Sequence, residues 1–557
     1  MGQVDVGMES FADQVPMMFR AQTDGRCQIQ RLDPRRQKEQ VPQDCEVWAD
    51  EWVEEASEVI PGFGEEVQTR VAKISWRFIT NSGQDDGVIR PVIGGRGIPF
   101  YPGSSMKGVF RRSCRTLYPN LVSRFCGDRD ELSPGILRFH GGYPTSGDWV
   151  TNLVDIVHPQ QNWQVQTTNT RKKEGGAFIQ ISLFQPELRF GISSSIGLSD
   201  DEWVRVWEIW EGALSEGIGS RVCAGYGQPM VQGGVPLLQV KLKGQGIASK
   251  LVDGTAEFRP NMFRAGLRGH ALRIFGGLTG AREAEGVVDV LFGGIQRRSE
   301  QVGLLRMAFT ELEPTRFQKF GYHEMPHFRS SGELRFYGTR SLPETEQLAL
   351  EDLIAKLLQF GMLLGGFGKA WRRSDHRMFW HDEYEKLIGC HWTWRLAPSR
   401  KMMPVRSLDE VAPFLEAVRE SARVWMGLRG VKVGDCAPWR ETWVSGEAQV
   451  WGRLASDDGD AVAIDWLHKP YLAEQGRAMQ TIKGTSLTGG VNQVGRVWHR
   501  MFPVVVVGSH PKKPEQKISV YSDRFLELLT VFPDESRESE LFESFLESSQ
   551  SLFRRLW

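Results

Sequence analysis

The 557-residue chain has no run of about 18 apolar residues, so no membrane-spanning helix is expected. Met1-Gly-Gln-Val-Asp-Val6 has no basic start followed by an apolar stretch, so no secretory leader is expected either. Cysteine is scarce: the seven are scattered, odd in number and never spaced as C-x-x-C. That argues against a disulfide framework, fits a reducing cytoplasm, and offers no clustered ligands for zinc. An excess of one charge is missing too, since 68 Lys and Arg face 69 Asp and Glu. Any affinity for nucleic acid must therefore sit on local patches.

One such patch is there. From Gly87 to Gly127 there are seven Lys or Arg (90, 96, 107, 111, 112, 115, 124) and no acidic residue. Its centre is Ile98-Pro-Phe-Tyr-Pro-Gly-Ser-Ser-Met-Lys-Gly-Val-Phe-Arg-Arg112. Pro99 and Pro102 hold the chain extended, Gly103 permits a turn, and Ser104 or Ser105 is expected to cap a helix running to about Leu117. Open N–H groups at a helix start, beside a serine hydroxyl and Lys107, suit a phosphate; Arg111, Arg112 and Arg115 extend the basic face. The plainer reading is a capped helix with a solvated charged face.

At 40% hydrophobic residues, the chain has room for about three or four domains. Residues 1–70 read as an N-terminal extension, with an acidic, weakly helical stretch from Glu46 to Ile60. Val71 to Thr80 alternates as a strand does. A polar loop with Asp85-Asp86-Gly87 follows, then the basic helix, a strand at Gly135–Phe139 and a long insert at about 143–178. Ala177–Leu183 and Glu187–Ile192 read as strands, and Ser199 to Ser215 as an amphipathic helix with a Ser-Asp-Asp-Glu cap. That helix ends in Gly217-Ile-Gly-Ser-Arg-Val-Cys-Ala-Gly-Tyr-Gly227. These glycines follow a helix, so they are not a dinucleotide fingerprint; they suit a sharp turn or a close backbone approach. The expected order is β-α-β-β-α-β, the ferredoxin-like or RRM topology.

The same landmarks return over 236–395. After a strand at Val235–Lys243 come Asp253-Gly254, then Phe263-Arg-Ala-Gly-Leu-Arg-Gly-His-Ala-Leu-Arg273, with Arg264, Arg268 and Gly269 in place of the first helix's cations and glycine. Leu291-Phe-Gly293 and Gly303-Leu-Leu-Arg-Met307 echo Phe125-Cys-Gly127 and Gly135-Ile-Leu-Arg-Phe139. Gly365-Gly-Phe-Gly-Lys-Ala-Trp-Arg-Arg373, with Gly366, Gly368, Lys369 and Arg372, echoes the first glycine loop. A tandem duplication follows, at a period of roughly 150–170 residues. The fold class is α+β: tandem ferredoxin-like units, 71–235 and 236–395, plus a C-terminal α/β region, 396–557. In the last region Arg496, Trp498 and Arg500 alternate on a strand, a pattern that suits RNA bases and phosphates, or else a plain edge strand. His323-Glu-Met-Pro-His327 spells a zinc-protease motif, but Pro326 inside the required helix excludes it.

Pro102-Gly-Ser-Ser-Met-Lys-Gly108 and Gly217-Ile-Gly219…Gly225-Tyr-Gly227 together resemble the RAMP superfamily of CRISPR–Cas effector proteins. Two fused units look most like the tandem backbone subunits of type III-D variant complexes. The resemblance implies that the Lys107 helix start and the glycine loop (Gly217, Gly219, Arg221, Gly225, Gly227) grip guide RNA. It also implies that the insert wedges between guide and target RNA. An aspartate in the loop after the first strand supports target cutting in related subunits, so Asp85 or Asp86, and Asp253 in the second unit, are candidates. A carboxylate there could help bind Mg²⁺ or orient the attacking 2′-hydroxyl. The implied protein is an RNA-guided endoribonuclease subunit with guide RNA, target RNA and other complex subunits as partners. A purely structural RNA-binding subunit stays open, in which these aspartates only turn the chain. A guide-processing endoribonuclease, which commonly relies on a histidine near the first helix, fits less well because the first histidine is His140.

Overall fold

The computed structural model describes residues 42–80, 83–85, 88–128, 130, 132–157, 178–231, 233–296, 299–320, 325–380, 388–472, 479–490, 493–510 and 512–557. It divides into two compact units, one up to Val235 together with Lys250–Thr255, the other Pro236–Ser249 and Ala256–Trp557. The fold is mixed α+β, with 35% helix and 31% strand.

The first unit opens with α1 (Asp44–Glu55), whose Trp48 and Trp52 are buried. Its main sheet holds β1 (Gln68–Lys73), β4 (Leu137–Pro144) and β7 (Glu187–Ser194), all antiparallel in the order β1-β7-β4. Two helices complete the repeat, α2 (Gly103–Leu117) after β1 and α3 (Asp200–Ser215) after β7. The fourth strand is reduced to an Ile74–Pro229 bridge beside β1. This is the 4-1-3-2 order of a ferredoxin-like sheet, its last strand shrunken. A smaller sheet joins β2 (Gly83–Asp85), β3 (Val88–Arg90), β5 (Val154–Val157) and β6 (Phe178–Ile181).

The strand expected as one piece over 71–80 is broken. Val71 is half exposed, and the chain leaves β1 after Lys73, then pairs Arg77–Phe78 with Leu183–Phe184. The α3 cap is as read from the sequence: Ser199 Oγ accepts from the Glu202 N–H, and Glu202 returns to the Ser199 N–H at 3.0 Å.

In the second unit β8 (Leu238–Ile247), α4 (Met262–Gly276), α5 (Ala281–Phe292), β9 (Leu305–Phe320), β10 (Met325–Gly338), α6 (Glu344–Phe360) and β11 (Cys390–Trp394) follow in order. Their sheet runs β9-β10-β8-β11, the full 4-1-3-2 order read from the other edge. His327 lies on strand β10, which is no place for a helical zinc motif. A long helix, α7 (Val411–Leu428), then leads to a third sheet. That sheet uses β12 (Gln449–Ala455), α8 (Val462–His468), β13 (Val497–His510), β14 (Lys513–Val531), α9 (Arg537–Glu547) and β15 (Arg554–Arg555). Its order, β13-β14-β12-β15, repeats that of the second sheet. The C-terminal region is therefore a third ferredoxin-like unit, and a single hydrophobic core runs from Val240 to Phe532 through both sheets.

Candidate nucleic-acid interface

The basic helix α2 is amphipathic by spacing. Met106, Phe110 and Cys114, four apart, are fully buried against the sheet. Ser104, Ser105, Gly108, Arg112 and Arg115 are exposed, with Lys107 and Arg111 half-buried between the two faces. The expected serine cap is corrected: Pro102 is the N-cap, and no side chain caps the helix. The reason lies at Gly103, where any Cβ would collide with the Phe139 carbonyl of β4. That close approach fixes where the helix begins and leaves both serines in its first turn, facing solvent.

The glycine loop is tied to this helix at two points. Gly219 hydrogen-bonds through its backbone to the buried Tyr101 hydroxyl, and burial pushes that phenol above its ordinary range. Arg112 pairs with Glu216, the residue before Gly217, at 3.5 Å. The loop needs its glycines: Gly217, Gly219, Gly225 and Gly227 all have positive φ, between 60° and 92°. Ile218 N–H donates to Gly227 O at 3.0 Å, and Gly227 N–H donates to Arg77 O at 2.8 Å. Gly217, Gly225 and Gly227 are buried, so they shape the loop, while Gly219 and Arg221 are exposed at its tip. Arg221 itself takes a left-handed φ of 58°. The two motifs thus form one outward patch of hydroxyls, cations and bare backbone.

The second copy differs. Arg264 donates to the Phe292 carbonyl, and Arg268 to Gly293 O at 2.7 Å and Asp289 at 2.6 Å. Both therefore cap the end of α5. His270 lies 2.9 Å from Gly366 O, which ties α4 to the second glycine loop as Tyr101 ties the first. That loop is closed over. Arg500 donates to the Gly365 and Trp371 carbonyls, and a Cβ on Gly366 would strike its guanidinium. Gly368, with φ of 103°, is half-buried against Cys390, and Lys369 is exposed. Trp498 and Arg500 are only 1% and 3% exposed, so the expectation of an RNA-facing strand is corrected. Both faces of β13 are buried over 497–503, and on the face that Trp498 shares with Arg500 the indole meets Trp371, Trp443 and Phe532. Arg496 pairs with Asp534 at 3.0 Å, and Arg372 with Glu441 at 2.7 Å.

The aspartates divide. Asp85 ends β2 and pairs with Val88 of β3; its side chain, and Asp86 entirely, lie outside the described residues. Most of the insert, 158–177, lies outside them as well. Asp253 accepts from Thr255 N–H at 2.8 Å and Thr255 Oγ at 2.9 Å, beside Gly254 with φ of 86°. Its carboxylate closes its own turn. Among the described residues, no three His, Cys, Asp or Glu side chains converge as metal ligands.

Sequence reading missed two buried networks. Asp155 at the foot of the insert accepts from Tyr226 of the glycine loop at 3.2 Å and Gln180 at 3.0 Å, with Arg77 at 3.9 Å. In the second unit Glu441 gathers Arg273, Arg372 and Arg440. Residue spacing carries no signal for either network, because apart from Arg440 beside Glu441 the partners are distant in sequence.

No protein-family model matches the chain, and no curated protein matches it. Solved structures do show likeness. A type III-B Cmr-β complex bound to cognate target RNA matches at 18% identity and TM-score 0.22, over 28% of this chain and 55% of that chain. Cmr1 from Pyrococcus furiosus matches at 12% identity and TM-score 0.32, over 57% of this chain and 99% of that one. A type IV-B CRISPR complex matches at 16% identity and TM-score 0.21, over 30% and 93%. At such scores the strand orders described above carry the fold assignment. No described helix is long and apolar enough to cross a membrane.

Proposed function

We propose that the chain is an RNA-holding subunit of a CRISPR-type effector complex, gripping the backbone of a guide RNA. The supporting observation is the outward patch of the first unit, where the α2 face and the Gly219–Arg221 tip are joined through Tyr101 and Arg112. Lys107, Arg111, Arg112 and Arg115 would neutralise phosphates, while the first-turn N–H groups and serine hydroxyls donate to phosphate oxygens. Such contacts read backbone and leave sequence selection to base pairing. The test is to purify the chain with its genomic neighbours and sequence the RNA that comes with it. Repeat-derived guide RNA is the expected result; its absence overturns the reading.

A second reading adds cleavage of paired target RNA. It is favoured by the small sheet, in which β3, just after Asp85 and Asp86, runs parallel to β6 at the foot of the insert. A divalent cation held by those carboxylates would stabilise charge on the reacting phosphate. Replacing both by Ala should abolish target fragments while leaving guide RNA bound. Unchanged fragments would assign the two aspartates to turn formation alone.

A further inference from the structure

The second unit buries a cluster of arginines around one carboxylate. Glu441, with no exposed surface, accepts from Arg273 Nη2 at 2.6 Å, Arg372 Nη2 at 2.7 Å and Arg440 Nη2 at 2.9 Å. Arg372 also donates through Nε at 3.0 Å, which fixes its plane. Arg273 and Arg372 lie over the Trp371 ring, 5.1 and 4.6 Å from its centroid. Arg496, held by Asp534, stands near Arg440. Burial, together with Arg372 and Arg496, keeps Arg440 below the usual arginine range despite the pull of Glu441. Side-chain exposure grades outward, from 2% at Arg273 through 9% at Arg440 to 18% at Arg372 and Arg496. The cluster therefore has a dry back and a wet front.

Three guanidiniums on one carboxylate repel one another strongly where water is excluded. Burial alone would raise the Glu441 carboxyl, but Arg372 and Arg273 overcome that and hold it at about 2. An anion at the wet front would relieve the repulsion, and planar guanidinium forks held in fixed orientations match the oxygens of a phosphate. We propose that Arg372, Arg440 and Arg496, backed by Arg273, form a phosphate-binding site on the second unit. The phosphate could come from an RNA strand or from a free polyphosphate. The RNA source rests on the function proposed above; the anion site does not.

The test uses the full chain and inorganic pyrophosphate. Thermal melting is followed in pyrophosphate against chloride at equal ionic strength, for wild type, Arg440→Gln, Arg496→Gln and Lys517→Gln, an exposed cation elsewhere in the unit. Pyrophosphate should raise the melting temperature of wild type and Lys517→Gln. In the two arginine variants the half-effect concentration should rise about tenfold, the worth of one charge-assisted hydrogen bond. Should either variant fail to fold, Arg440→Lys keeps the charge without the fork and should show a partial loss. Absence of a pyrophosphate-specific rise in wild type, or an equal rise in the arginine variants, overturns the site. Labelled single-stranded RNA then distinguishes the sources: RNA that competes with pyrophosphate assigns the strand, and pyrophosphate binding without competition assigns a free polyphosphate. RNA bound equally by all variants, with no pyrophosphate effect, overturns the site and leaves the proposed function standing.

Discussion

Two glycines of the first unit show how differently one residue type is used. Gly219 sits at φ of 81° with a Cβ barred by the Ile79 carbonyl and the Phe78 ring, so its role is conformational. Gly219→Ala should lower stability by about 1–3 kcal/mol in urea denaturation. Gly108 lies within α2 with nothing near its missing side chain. In the chain alone it only weakens the helix, and Gly108→Ala should gain about 0.5–1 kcal/mol. If a strand of RNA lies against the bare backbone there, the same change should weaken RNA binding although the protein is more stable. A stabilised variant with unchanged affinity would mean that nothing approaches that face. The residue types of the patch were legible in the sequence. The burial of Trp498 and Arg500 was not, because a period of two says which side chains share a face and never whether a face is covered; here Val497, His499 and Met501 on the opposite face are buried as well.

At the scale of elements, the first two repeats declared themselves through helix starts and glycine loops. The third could not. Its α8 is seven residues long and β15 only two, and no glycine follows α9 before Leu552 takes a left-handed φ of 62°. Only strand pairing, which joins residues far apart in sequence, shows it. The third sheet also explains the interior face of β13. Trp498→Ala should cost about 3–5 kcal/mol through the cavity it leaves. RNA affinity per folded molecule should be unchanged, as measured by filter binding on the soluble fraction; a selective loss would return that strand to the RNA surface. On α2, by contrast, replacing Lys107 and Arg111 together with Ala should weaken binding to every RNA sequence alike. The logarithmic slope of affinity against salt should also become shallower, by about 0.7 for each phosphate left without its cation.

Over the whole molecule, the second unit carries several buried histidines. Burial, with Arg273 beside it, brings His270 down to about 3, and burial with Arg500 does the same to His391. His376, 2.9 Å from His468, lies well below its usual value, again chiefly through burial. His499 is lowered by burial, although Glu527 at 3.1 Å pulls the other way. Unfolded, His270 and His391 take up protons near pH 6.5; folded, they stay neutral down to about pH 3. The unfolded state thus binds more protons as pH falls below that value, so this contribution is whole above about pH 6.5 and shrinks toward about pH 3. Urea midpoints for this unit should be clearly lower at about pH 5.5 than at about pH 7.5. Equal midpoints would show that the histidines titrate as they do in water.

The closed second loop has a consequence for counting. Three copies of one scaffold suggest three equivalent stations along a guide strand. With Arg500 filling the second glycine loop and no glycine following α9 in the third copy, a single outward-facing station of that kind stands among the described residues. On the proposed reading, such a chain advances along RNA by one step, as a subunit with one repeat would. Nuclease footprints of a bound guide should accordingly show one periodic interval per molecule.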